Sequence, residues 1–164
     1  DGAFTFTVSS WFNLIANRKD PEADFDWLQY EDYGMDLYSN GMMVSRALLA
    51  ENPEAVAGLV RAVTRATMEI TKDQDIAVKA IMAYDNLVDP DLERARLEFA
   101  LTKLMNAPET SETGIGDLVD ERLTRSIAII AEGYELEVLP EASDIFDRSF
   151  LPPLEERVFA VTIN

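Results

Sequence analysis

The 164-residue chain contains neither cysteine nor histidine. Together these absences remove a thiol nucleophile, a disulfide framework, a Cys/His zinc site and a histidine general base. A chain without cysteine suits either side of a membrane, so the redox compartment stays open. No apolar run approaches the roughly 20 residues needed to span a bilayer. Basic residues are also scarce: 14 Lys and Arg face 31 Asp and Glu, for a formal charge of −17. That balance repels phosphate backbones and anionic lipid surfaces, so no nucleic-acid partner is expected.

What is present is a globular composition, 48% hydrophobic and 27% charged, in a length that buries a sizeable core. No catalytic constellation stands out, and no cofactor or metal is expected. The acidic pairs Asp24 with Asp26 and Glu31 with Asp32 read as solvated faces. Asp85, Asn86, Asp89 and Asp91 have the composition of a calcium loop but lack its central Gly and terminal Glu, so helix capping accounts for them better. Gly114-Ile115-Gly116 lacks a third glycine and a preceding strand, and reads as a turn that positions the following helix.

In chain order, Ala3 to Val8 alternate apolar residues with Thr and predict a half-buried strand. Ser9 and Ser10 then offer caps for a short helix from Trp11 to about Asn17, and a strand that runs into a helix N-terminus suits small polar or anionic ligands. Phe25 to Tyr30 predicts a second strand and Met42 to Ser45 a short third one. Helices are expected over Ser45 to Asn52, from Pro53 to about Thr71, over Asp73 to Tyr84, and onward from Asp89-Pro90. Asn52 and Asp89 serve as caps, with a proline at the first helical position. Asn106 to Gly116 reads as a loop. Asp117 or Asp120 is expected to cap a helix ending near Gly133, itself suited to a C-terminal cap. The prolines and apolar residues of Phe146 to Pro153 predict an anchored, partly buried ending.

Several stretches recur together in this order: Tyr33-Gly-Met-Asp-Leu-Tyr-Ser-Asn-Gly41, Glu51-Asn-Pro-Glu-Ala-Val56, Gly114-Ile-Gly116 ahead of Asp120-Glu-Arg-Leu123, and Ser149-Phe-Leu-Pro-Pro-x-x-Glu-Arg157. In order and spacing they resemble the substrate-binding proteins of ABC importers, in the branch similar to the taurine, nitrate and thiamine-pyrimidine binders. The resemblance implies an α/β, helix-rich fold, the C-terminal part of a two-lobed type II periplasmic-binding-protein fold. Residues 1–38 would end the second lobe. Residues 39–164 would form the hinge crossover and the helices that belong with the first lobe, whose N-terminal part lies outside this sequence. The start at Asp1, without Met or a signal pattern, fits either a removed leader or a missing N-terminal half, and the resemblance favours the second.

By the same resemblance the chain is a binding protein and not an enzyme. It would sit in the periplasm or be lipid-anchored outside the cell membrane, and would take a small nitrogen- or sulfur-containing ligand to a membrane permease. The ligand-binding candidates are Ser10, Trp11 and Asn13 from the second lobe, and Tyr38 and Asn40 near the hinge. Aromatic rings stack a planar ligand, while hydroxyl and amide groups fix its orientation. Two other readings stand beside this one. The first is an enzyme similar to the thiamine-pyrimidine synthases, whose chemistry depends on histidine and cysteine. The second is a helical interaction module whose amphipathic faces complete a core alone or by dimerising.

Overall fold

The computed structural model describes residues 1–158, and they divide into two compact units. The first comprises residues 1–27 and 67–111, the second residues 28–66 and 112–158. Among the described residues the regular structure is helical and no strand forms.

The first unit contains α1 (Thr7–Ala16), α4 (Asp75–Tyr84), α5 (Pro90–Phe99) and most of α6 (Pro108–Thr113). Its α5 packs against both α1 and α4. The Asp89 carboxylate accepts from the Asp91 and Leu92 amides at 3.0 and 3.2 Å, and Pro90 follows it, so α5 starts as its sequence predicts. After Phe99 the helix continues over Ala100–Leu104 with π-type geometry, and the Met105 amide reaches the Ala100 carbonyl. Phe12, Val78 and Leu101 are the buried apolar residues here, Leu101 completely so.

The second unit contains α2 (Arg46–Glu51), α7 (Asp120–Gly133), α8 (Ala142–Ile145) and most of α3 (Pro53–Ile70), which enters the first unit at Thr67. Ser45 caps α2 by accepting from the Leu48 amide, and Asn52 accepts from the Ala55 amide at 3.0 Å in the first turn of α3, with Pro53 leading that helix. Short 3₁₀ turns occupy Tyr30–Tyr33, Arg148–Phe150 and Leu154–Glu156. Val56, Ile115, Leu123 and Ala131 are buried together with Thr64, Ser126 and Arg157.

Several expectations need correction. The α/β class fails in its strands. Residues 3–6 are exposed and irregular, helix α1 begins at Thr7, residues 25–29 are irregular, and 42–45 carry no ladder. A β pattern becomes a strand only where a neighbouring strand takes its N–H and C=O groups, and no such neighbour exists among the described residues. Ser9 and Ser10 therefore lie inside α1 and cap nothing. The expected loop at 106–116 contains α6, started by Pro108 with Glu109 in its first turn. Neither Asp117 nor Asp120 caps α7, because Val119 stands at that position.

The C-terminus of α7 shows why Gly133 is not its cap. The Glu135 amide reaches the Glu132 carbonyl and the Leu136 amide the Ala131 carbonyl, a Schellman closure whose left-handed residue is Glu135, at φ 51°. Arg18 holds the same position after α1, at φ 58°, with the Lys19 amide on the Leu14 carbonyl. No helix among the described residues is long and apolar enough to cross a membrane.

Candidate functional site

The sequence-predicted binding residues fall in both units. Ser10, Trp11 and Asn13 lie on α1 of the first unit, and Tyr38 and Asn40 lie in the second.

In the first unit Trp11 belongs to an aromatic cluster. Its ring centroid is 5.3 Å from that of Trp27 and 5.5 Å from that of Phe99, while Phe12 meets Phe99 edge-on at 5.7 Å. The Trp27 indole N–H donates to the Pro21 carbonyl at 2.8 Å, fixing the ring that covers Trp11. Arg96 lies 5.8 Å from the Phe12 centroid and pairs with Glu93 at 3.0 Å. The hydroxyls of Ser10 and Thr5 share a hydrogen bond, and Asn13 is exposed on α1, its carbonyl accepting from the Asn17 side chain. Trp11 therefore carries packing whatever else it does, against the rings of Trp27 and Phe99.

In the second unit Tyr38 is held on two sides. Its hydroxyl accepts the Val119 N–H at 2.8 Å, at the start of α7. The Arg122 guanidinium lies 4.2 Å from its ring centroid. Arg122 also pairs with Asp36 at 2.7 Å and donates to the Leu37 carbonyl at 3.4 Å, so α7 reads the whole 36–38 segment. Arg125 stands 4.0 Å from the same Asp36 carboxylate. Asn40 is exposed on the chain that leaves this anchor.

Two residues that sequence reasoning missed dominate the same region. Arg148 donates from Nε to Asp117 Oδ1 and from Nη2 to both Asp120 Oδ1 and the Leu118 carbonyl, each at 2.6 Å. Arg157 is 7% exposed; it donates to the Pro152, Thr113 and Ile115 carbonyls and pairs with Asp117 at 3.3 Å. Its own carbonyl accepts the Ile115 amide at 2.7 Å.

This grip leaves no room for a side chain at Gly114. A Cβ there would lie 2.9 Å from Leu154 Cδ1 and 3.0 Å from the Arg157 carbonyl oxygen, and φ is +78°. Burial pushes the Asp117 carboxyl up, but the hydrogen bonds from Arg148 and the Leu118 amide, with the charges of Arg148 and Arg157, outweigh it and leave the group below its ordinary value. Hydrogen bonds to Asp117 and Asp120 raise the Arg148 guanidinium above its own. The only signal of Arg157 in the sequence is its place at the end of the Pro-Pro-x-x-Glu-Arg stretch.

Residues 3–77 match the family model described as NMT1/THI5 like. The matched span is similar to that family over less than half of the chain. It contains Ser10, Trp11, Asn13, Tyr38 and Asn40, and ends inside α4. The segments that supply Arg122, Arg148 and Arg157 follow it. No curated protein and no solved structure matches the chain.

Proposed function

We propose that this chain is part of the ligand-binding component of an ABC importer for a small nitrogen- or sulfur-containing metabolite of the pyrimidine, sulfonate or nitrate kind. The observation that carries the reading is the family match over residues 3–77, the span that holds every sequence-predicted ligand contact. In this reading two lobes close on the ligand, and chain outside these residues completes the first lobe. The protein works outside the cell membrane and delivers the closed, loaded form to a permease. Its role is binding without turnover. Within the first unit Trp11 offers a flat face with Ser10 and Asn13 as polar groups, and within the second Tyr38 offers a flat face with Asn40 as the polar group.

The test uses the full-length protein with an aminopyrimidine, taurine and nitrate in turn, each followed by calorimetry and thermal unfolding. One of them is expected to raise the melting temperature, with a stabilisation of about 2.7 kcal/mol at a hundredfold excess over its dissociation constant. Absence of binding for all of them overturns the reading. Formation of a pyrimidine product on incubation with pyridoxal phosphate and iron replaces it with the synthase-like alternative.

A further inference from the structure

The Leu118 carbonyl and the Val119 N–H belong to one peptide group, and each end of that group has its own remote partner. Arg148 holds the oxygen at 2.6 Å, and the Tyr38 hydroxyl accepts from the nitrogen at 2.8 Å. We propose that this peptide group is a relay through which Arg148 positions Tyr38, joining the Arg148–Val158 segment to the 36–40 segment through the start of α7.

The physical link is polarisation. A guanidinium on a carbonyl oxygen draws electron density along the amide, which leaves the N–H more positive and a stronger donor to the tyrosine oxygen. The same contact orients the peptide plane, and the plane sets where the N–H points. Arg148 can hold this orientation because Asp117 and Asp120, on either side of the peptide, accept two more of its donors at 2.6 Å. Tyr38 has little freedom to follow another geometry, with Arg122 over its ring and Asp36 and Leu37 bound to the same guanidinium. Arg148 is thus a positioning residue, distant in sequence from the side chain that it places.

The relay concerns the second unit alone and holds whatever Tyr38 contacts. Only its consequence for ligand affinity rests on the proposed function.

Amide exchange on the full-length protein tests it, with Arg148→Met, Arg148→Lys, Tyr38→Phe and the Arg148→Met/Tyr38→Phe double variant. Arg148→Met is expected to speed exchange at Val119 and over residues 37–40 by about tenfold while leaving Val78 of the first unit unchanged. Arg148→Lys, which keeps one donor for the Leu118 carbonyl, recovers most of the protection. The double variant exchanges more slowly than the product of the two single effects requires. The proposal is overturned if Arg148→Met loosens only residues 148–157, or if the two single effects simply multiply. Should Arg148→Met fail to fold, Asp120→Asn takes its place, since it weakens the hold on Arg148 and leaves the peptide untouched; an unchanged Val119 rate then overturns the relay. A taurine, nitrate or aminopyrimidine affinity that falls with Arg148→Met extends the relay to binding, whereas a protein that binds none of them sinks the functional reading and leaves the exchange result standing.

Discussion

The two units are held by different chemistry. In the first, Trp11, Trp27, Phe12 and Phe99 pack ring on ring around α1 and α5, and the charged groups sit at the margin, as in the exposed Arg94–Asp75 pair. In the second, guanidinium groups are the ties: Arg157 is buried among carbonyls, Arg148 spans Asp117 to Asp120, and Arg122 lies on Tyr38. Aromatic packing is graded, because trimming one ring leaves its neighbours in partial contact. A buried guanidinium is closer to all or nothing, because its removal strands every carbonyl and carboxylate that it satisfied. The chain uses the second device in the unit where three segments largely outside α-helices, around 36–38, 113–119 and 148–157, must be fixed without a strand to hold them.

The sharpest way to break this contrast is Arg157→Met. It is expected to destabilise the second unit by about 3 kcal/mol, as for a buried pair that loses one member. Exchange of the Ile115 amide in graded urea measures it. Both tryptophans of the chain, Trp11 and Trp27, lie in the first unit, so their emission should stay unchanged in this variant. Emission that follows the loss would show that the units are not separately held. Phe99→Ala is the converse and should cost about 2 kcal/mol, below the range for a fully buried phenylalanine because this ring is only half-buried. Here the tryptophan emission shifts and the Ile115 amide does not.

The smallest effect is expected at Glu135→Gly. A non-glycine residue at φ 51° carries strain that glycine does not, partly offset by the extra freedom of an unfolded glycine, for a net gain of about 0.5 kcal/mol. A rise in the urea midpoint at constant slope confirms it, and a fall would mean that the Glu135 side chain holds the end of α7 in another way.

The sequence is most legible where the physics is local. Asn52-Pro53 and Asp89-Pro90 announce helix starts because a cap needs only the next few amides, and both form as expected. It is least legible where a partner is remote. Phe4, Phe6 and Met43 suit a strand in composition, yet they stand exposed because no neighbouring strand completes a ladder. Asp117 and Asp120 look like caps from their position around the start of α7, but Arg148, some 30 residues on, claims both. Ser10 and Asn13 suit a junction between strand and helix that does not form. Tyr38 stands out by its setting of polar groups, but that setting does not reveal that its hydroxyl and ring are held by the start of α7. Gly114 is legible as a turn before a helix; that its turn encloses an arginine is not.

The π-type segment after α5 bears on how a chain like this can change length. Its wide turn takes one more residue than an α-helical turn, with the Met105 amide bonded five residues back to Ala100. The spare residue is absorbed in the last turn of the helix instead of being pushed into the loop that follows. Losing one residue from Ala100–Leu104 would return the segment to ordinary helical pitch, and because the wide turn already holds that residue, it would leave α5 with its aromatic partners undisturbed and the chain that follows in its present direction. A single codon at this place is therefore a shock absorber: it can be lost while the rings upstream stay where they are.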